Sequence, residues 1–280
     1  MNRQWPVWMA KNIVRMFLLI LCVSMVTFAL MKVSPVDPLQ ANVGQAALGS
    51  MSREQREKLE EYWGVNAHPV EQYLSWGKDF IRGDMGMSLL YRQPVSEVIA
   101  VKLSHSLLLM LLAWVISGVL GFILGVISGM NRGKMTDRLI KAYCLMVSAT
   151  PAFWLALLLL MIFGVWLHLF PIGLSVPIGM EAEGVTFGDR LYHAVLPALA
   201  LSITGVSNIA LHTREKMIDI MESDFILFAR MRGEKGWRLF RYYGFRNVLL
   251  PAVTLQFAAV SEILGGSVLV EQVFSYPGLG

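Results

Sequence analysis

Long uncharged apolar runs alternate with charged stretches along the chain. As a helix, the first run would be about 28 Å long at 1.5 Å per residue, close to the hydrocarbon thickness of a bilayer. The pattern therefore predicts an all-α polytopic membrane protein. The predicted spans are residues 13–31, 103–130, 143–169, 193–213 and 249–270.

Basic residues are concentrated in two of the connecting segments, 131–142 and 214–247. Segment 170–192 instead holds a single basic residue against three acidic ones. Because lysine and arginine accumulate in cytoplasmic loops, we expect residues 1–12 and both basic segments to lie in the cytoplasm. The segments expected outside are residues 32–102, 170–192 and 271–280.

The composition agrees with a membrane protein and excludes two other classes. Hydrophobic residues make up 55% of the chain and charged residues only 16%, against about 25% charged in ordinary soluble domains. The two cysteines, Cys22 and Cys144, both lie in apolar runs, which excludes a disulfide scaffold. The net charge of +4 comes from basic residues that border the spans. They favour contact with anionic lipid rather than with nucleic acid.

Segment 32–102 is polar enough to form an extracytoplasmic helical insertion after the first span. Ser52 and Gln55 have the spacing of a capping box, and Gly64 is suited to end the helix that they begin. Pro69 is suited to the first turn of a second helix, which Gly83 would close.

Glycines recur every four residues on the second predicted span, at Gly121, Gly125 and Gly129. This spacing lines one helix face with residues that have no side chain. Such a face lets a second helix approach closely.

The cytoplasmic segment 214–247 predicts two short helices joined by a turn. Ser223 is suited to cap the first helix, Asp224 suits its positive end, and Gly233 is suited to end it in a left-handed conformation. The first helix carries Phe225 and Phe228 on a basic surface. Two interpretations follow: an amphipathic helix lying on lipid headgroups, or a helix that docks into a soluble partner.

This segment resembles the coupling loop of ATP-binding-cassette importer permeases, in the form found in the dipeptide, oligopeptide and nickel group. Residues 229–233, Ala-Arg-Met-Arg-Gly, are similar to that group's pattern A-R-x-K/R-G. Residues 246–251, Arg-Asn-Val-Leu-Leu-Pro, are similar to its pattern R-N-x-x-L-P.

Further similarity to the group covers nearly the whole chain and comes in the family's order. It includes Asp37-Pro38, Gly-Asp-Met-Gly-Met-Ser at 83–88, Pro-Ala-Phe-Trp-Leu-Ala at 151–156 and Phe-Ser-Tyr-Pro-Gly-Leu-Gly at 274–280. The resemblance places the permease domain at about 95–280. In the family a last transmembrane helix follows the final turn, so we expect this chain to be a fragment.

The resemblance implies a transport subunit of the bacterial inner membrane and not an enzyme. A second permease would complete the pathway, two cytoplasmic ATPases would drive it, and an extracytoplasmic binding protein would deliver di- or oligopeptides or nickel. The chain has no glycine-rich Walker-type motif. We therefore expect ATP and magnesium to be bound by the ATPase subunits and no cofactor by this chain.

Within the coupling loop the resemblance gives each candidate residue a role. Gly233 would form the turn, and Ala229 would make a close helix contact. Phe225, Phe228 and Arg230 would face the ATPase, although a basic residue at position 230 also suits a lipid phosphate.

Glu262 is the acidic residue within a predicted span. Carboxylates in membranes usually line a cavity or pair with another group. Glu262 is therefore a candidate for the translocation pathway, with a structural hydrogen bond or a headgroup location as the alternative. The histidines are expected to be interface residues, and no metal site is predicted. The alternative function is an ATP-independent secondary transporter or channel, which would require internal repeats and several ionisable residues at mid-membrane.

Overall fold

The computed structural model describes residues 4–33, 51–52, 54–55, 68–88, 90–173 and 186–280. The chain divides into two compact units, Met1–Val98 and Ile99–Gly280.

The first unit contains helices α1 (Gln4–Val33) and α2 (Pro69–Ile81). The capping box forms as predicted: Gln55 N donates to Ser52 Oγ (3.3 Å) and Ser52 N donates to Gln55 Oε1 (3.0 Å). Pro69 is the first residue of α2, and Gly83 follows the helix with a φ of +88°. Gly64, the predicted end of the preceding helix, lies outside the described residues.

All the described elements of the second unit are helices. The first of these helices begins at Val95, just before the unit itself begins at Ile99. In chain order they are α3 (Val95–Met130), α4 (Met135–Ser148), α5 (Ala152–Leu159, continued as a π-helix over Leu160–Trp166), α6 (Phe187–Met221), α7 (Asp224–Met231), α8 (Gly236–Leu239, continued as a π-helix over Phe240–Gly244), α9 (Phe245–Ala258) and α10 (Val260–Val273).

Within the described residues, three helices are long and apolar enough to cross a membrane: Val7–Val33, Val95–Met130 and Phe187–Met221. Two bent pairs bring the total to as many as five if each pair is one span. Met135–Ser148 and Ala152–Trp166 meet at 107°, and Gly236–Ala258 and Val260–Val273 meet at 49°. The chain is therefore an all-α polytopic protein, as the apolar runs predicted.

Helix ends differ from the ends of the predicted spans. The segment 131–142, assigned as a loop, contains the first half of α4, and α9 begins at Phe245, before the predicted span 249–270. Hydropathy detects only the apolar part of a helix, whereas the backbone hydrogen bonds continue into its charged ends. The bend after α4 falls at Pro151, which has no N–H and disfavours a helical conformation in the residue before it.

Helix α6 lies at the centre of the second unit and packs against α4, α5, α9 and α10. Small buried residues such as Ala194 and Ala198 lie on its packed faces. The glycines of α3 face this same helix. A Cβ at Gly125 would lie 2.5 Å from Thr213 Cβ, and one at Gly129 would lie 2.6 Å from Met217 Cβ. The close helix contact predicted from the glycine spacing is thus present, and α6 is its partner.

Candidate functional site

Helix α7 is anchored to the second unit by one of its faces. Ile226 and Ala229 are buried against Leu239 in α8, and Tyr243 and Met221 pack beside them. The other face carries side chains that no other described part of the chain covers. Their exposed fractions are 46% for Phe225, 57% for Leu227, 62% for Phe228 and 80% for Met231.

The five coupling residues predicted from the sequence divide between these two faces and the turn. Phe225, Phe228 and Arg230 are exposed, and Ala229 is buried. Gly233 follows the helix with a φ of +91°. Helix α7 and the turn after it therefore combine an exposed apolar face, a buried face that packs on the rest of the second unit, and a left-handed glycine.

The turn after α7 is closed by two backbone hydrogen bonds. Gly233 N donates to Arg230 O (2.9 Å) and Glu234 N donates to Ala229 O (3.2 Å). This is the Schellman arrangement, which requires a left-handed residue at the position of Gly233. A Cβ at Gly233 would meet no atom within 4 Å, so only the backbone conformation favours glycine there.

Ser223 takes the N-cap position of α7, but its side chain does not cap the helix. Its Oγ instead donates to Ile220 O in the last turn of α6. The hydroxyl thus ties the start of α7 back to α6, which corrects the capping role predicted from the sequence.

A buried ion pair joins three helices, and sequence reasoning did not find it. Arg214 in α6 donates from Nε to Asp137 Oδ1 (2.6 Å) and from Nη2 to Asp137 Oδ2 (2.9 Å). Asp137, in the first turn of α4, also accepts from Ser128 Oγ in α3 (2.6 Å) and from Gly133 N (2.8 Å). Every lone-pair direction of the carboxylate is thereby used.

The Arg214 guanidinium holds the pKa of Asp137 well below its usual range, and the bonds from Ser128 and Gly133 act in the same direction against desolvation. Both charged residues lie outside the predicted spans 143–169 and 193–213. The sequence offered no signal for the pair, because its members are 77 positions apart.

Glu262 lies in the first turn of α10 and is exposed. A Cβ at Gly265, one turn further on, would meet no atom within 4 Å. This part of α10 is therefore not covered by the described part of the chain.

A second carboxylate of α10, that of Glu271, is buried and accepts hydrogen bonds from two other segments. It accepts from Ser106 Oγ in α3 (2.7 Å) and from Gly280 N (2.7 Å). Gly278 lies so close that a Cβ there would be 2.3 Å from the Glu271 carboxyl group. Burial next to this carboxylate raises the pKa of Tyr276 to about 12. Glu271 thus holds the turn 274–280 against the start of α3.

Two of the histidines form hydrogen bonds with main-chain carbonyls of loops. His105 Nδ1 donates to Pro277 O (3.1 Å), and His193 Nδ1 donates to Gly173 O (3.3 Å). Among the described residues, no group of three or more His, Cys, Asp or Glu side chains is placed to hold a metal ion.

Comparison with known proteins gives a consistent set of similarities. Residues 121–280 match the family model described as "Binding-protein-dependent transport system inner membrane component". The chain is 34% identical to the oligopeptide transport system permease protein AppB of Bacillus subtilis, over 97% of this chain and 85% of that protein.

Two further relatives have similar descriptions. A putative peptide transport system permease protein of Brucella abortus is 33% identical, over 96% of this chain and 83% of that protein. The di/tripeptide transport system permease protein DppB of Pseudomonas aeruginosa is 29% identical, over 92% of this chain and 80% of that protein.

Proposed function

The chain belongs to the family of binding-protein-dependent transport system inner membrane components, and from that premise we propose that it imports peptides under the control of helix α7. It is a permease of an ATP-binding-cassette importer, a multi-pass inner membrane protein and not an enzyme. Such a permease works with ATPase and substrate-binding partners.

Peptides are the cargo that the relatives favour. The relatives from Bacillus, Brucella and Pseudomonas are all named as permeases for peptides or oligopeptides. We propose di- or oligopeptides for this chain as well. Nickel remains a prediction from the family resemblance alone.

The observation that carries the coupling proposal is the two-sided character of α7. Its exposed face presents Phe225 and Phe228, with Arg230 nearby, and an amphipathic helix of this kind fits an apolar groove on a protein partner. The opposite face is buried through Ile226 and Ala229. We propose that a cytoplasmic ATPase occupies the exposed face.

The buried face of α7 could transmit a displacement of α7 to the membrane helices. It contacts Leu239 in α8, which leads directly into α9, while the start of α7 is tied to α6 through Ser223. Displacement of α7 would therefore move α6 and α9 together, as in a rigid-body switch between inward- and outward-open states.

The proposed assembly has this chain, a second permease, two ATPases and an extracytoplasmic binding protein. ATP and magnesium would be held by the ATPases, and the N-terminus would be cytoplasmic with α7. These points follow from the family and from the distribution of basic residues in the sequence.

Gly233→Val tests the coupling proposal because a β-branched residue resists a φ of +91°. The strain is about 1–2 kcal/mol, which corresponds to a roughly five- to thirtyfold change in an equilibrium. We expect the complex purified with its ATPases to retain less ATPase, and peptide uptake and peptide-stimulated ATP hydrolysis to fall together.

The matched control is Gly83→Val, since Gly83 has a φ of +88° and equally open surroundings but lies after α2 in the other unit. It should leave ATPase retention unchanged. A helix that merely lies on lipid would tolerate either change. Normal retention and normal uptake in the Gly233→Val complex would remove the docking assignment.

A further inference from the structure

Helix α2 is attached to the second half of α1 through one tyrosine. Tyr73 OH donates to Ser24 Oγ (2.7 Å), because the Ser24 hydroxyl itself donates to Leu21 O (2.8 Å). The Tyr73 ring also packs edge-on against Phe28, with 5.3 Å between the ring centres. From Val7 to Val33, every residue of α1 is exposed except Ser24 and Phe28, which are partly covered. This contact therefore fixes where α2 lies along α1.

The contact lies just inside the apolar end of the first span. Ser24 and Phe28 precede the end of the predicted span 13–31 by about 10 Å and 5 Å along the helix axis. The ammonium group of Lys32 lies 5.8 Å from the centre of the Phe28 ring, so a charge and an aromatic ring share one level. Such pairs of groups are typical of the membrane–water interface. Helix α2 is thus attached at the depth where hydrocarbon gives way to headgroups.

An aromatic row runs along α2 from this contact. The ring centres of Tyr73 and Trp76 are 5.8 Å apart, and those of Trp76 and Phe80 are 5.4 Å apart. Trp76 and Phe80 are 45% and 47% exposed, so about half of each ring is open to the surroundings. Tryptophan and tyrosine are enriched where a bilayer meets water, because their rings are apolar and their edges polar.

A second apolar surface lies beside the aromatic row. Val70, Leu74 and Ile81 fall within about 40° of arc at 3.6 residues per turn. They are 57%, 64% and 87% exposed, so no other described part of the chain covers them. Glu71 and Lys78 lie on the other side of the helix, at least about 40° beyond this surface. Helix α2 is therefore amphipathic, and its apolar side is wider than α1 needs.

The position and the charges of α2 indicate lipid as the occupant of this surface. The surface continues that of α1, whose apolar span is uncovered in the structure and requires hydrocarbon around it. An interfacial helix buries its apolar face by about 5–10 Å, which matches the depth at which α2 is attached. Glu71 and Asp79 outnumber Lys78, so headgroup charge offers little attraction.

We propose that α2 is an interfacial membrane helix, and that the surface formed by Val70, Leu74 and Ile81 inserts among the acyl chains of phospholipid. The leaflet is the one at the C-terminal end of α1, which the basic residues predict to be the outer leaflet. Glu71 and Lys78 face water on the opposite side. Because apolar burial supplies the binding, zwitterionic phosphatidylcholine is sufficient.

Photocrosslinking in the complete transporter identifies what contacts this surface. The photoreactive amino acid p-benzoylphenylalanine replaces Leu74 in one variant and Ser75 in the matched control. Ser75 is the next residue, is also exposed, and lies about 100° further around the helix on its polar side. Both complexes are placed in vesicles of palmitoyl-oleoyl phosphatidylcholine and irradiated, and the peptide that contains α2 is analysed by mass.

We expect an adduct with the mass of the lipid at position 74, several-fold more abundant than at position 75. Crosslinking of position 74 to another protein subunit in place of lipid would overturn the proposal, because the surface would then be a protein interface. Equal lipid adducts at the two positions, or none at position 74, would overturn it as well, because the lipid contact would not belong to the apolar surface.

Leu74→Cys and Ser75→Cys give a second measurement that needs no bulky side chain. A charged maleimide reacts with the thiolate, which forms in water and not in hydrocarbon. We expect Ser75→Cys to react several-fold faster than Leu74→Cys in the same vesicles, and equal rates would contradict insertion. Labelling is followed on the α2 peptide, which contains neither Cys22 nor Cys144.

Discussion

The carboxylate of Asp137 is the clearest case of one side chain organising several helices. It is 3% exposed and accepts four hydrogen bonds, two of them from Arg214. Breaking a buried pair by removing one partner leaves an uncompensated charge, which typically costs about 3–5 kcal/mol. The pair is therefore expected to set the relative positions of α3, α4 and α6.

Arg214→Ala should destabilise the permease strongly, and Asp137→Ala combined with it should recover part of the loss, because no buried charge is then left. Unfolding of the purified complex measures both effects. The surface pair Arg132–Glu222, 56% and 65% exposed, is the control, since exposed pairs contribute about 0–1 kcal/mol. Equal losses for Arg214→Ala and Arg132→Ala would contradict the structural role.

The pH dependence of this ion pair follows from the direction in which the pKa of Asp137 is shifted. A carboxyl group whose folded-state pKa is lowered stabilises the fold above its unfolded value of about 3.9. That stabilisation is lost only as the pH falls through the lower folded value. The pair is therefore fully formed at neutral pH and insensitive to mild acidification.

At the scale of elements, the contact between α3 and α6 depends on glycine. A Cβ at Gly125 would lie 2.5 Å from Thr213 Cβ and 2.7 Å from Ala210 O, which belongs to the backbone and cannot rotate away. A Cβ at Gly265 in α10 would meet nothing within 4 Å. The same substitution should therefore act in opposite directions at the two sites.

Gly125→Ala should lower the stability of the complex by about 1–3 kcal/mol, the usual cost of overpacking. Gly265→Ala should be neutral or stabilising by up to about 1 kcal/mol, since alanine favours helix more than glycine does. Thermal unfolding in detergent compares them. A stable Gly125→Ala variant would mean that α3 and α6 are further apart than the structure places them.

Helix α7 and the turn after it depend partly on local sequence and partly on contacts with distant segments. The sequence predicted α7 and its glycine turn, because an apolar periodic segment and a left-handed residue are local properties. The role of Ser223 depends on a carbonyl at the end of α6, which lies outside α7. The anchoring contact with Leu239 likewise requires the chain to fold back after Gly233.

At the scale of the whole molecule, the distribution of basic residues predicts which side of the membrane each segment occupies. Asp79 in α2 and Lys134 before α4 are both exposed and are predicted to lie on opposite sides. In intact spheroplasts an impermeant maleimide should label Asp79→Cys, and it should label Lys134→Cys only after permeabilisation. The parent chain controls for Cys22 and Cys144. Labelling of both positions from one side would contradict the orientation.

The family match argues against the alternative function of an ATP-independent transporter. The family match covers residues 121–280, and relatives named as peptide transport permeases match more than nine-tenths of the chain. The proposed assembly with two ATPases and a second permease is tested by the retention measured for Gly233→Val.

The sequence by itself determined the class of fold, the glycine face of α3 and the turn at Gly233. Each depends on the hydropathy of a local segment or on the conformation of one residue, and such properties act over a few residues of chain.

The tertiary structure decided which surfaces meet. The glycine spacing of α3 predicted a close helix contact but not that α6 is the partner. The sequence around Asp137 and Arg214 likewise gives no local signal for an ion pair between residues 77 positions apart. The break between α9 and α10 at Ala259 could not be predicted from the sequence, because no proline or glycine lies at that position. Contacts of this kind depend on how distant segments pack, and packing is a property of the folded chain as a whole.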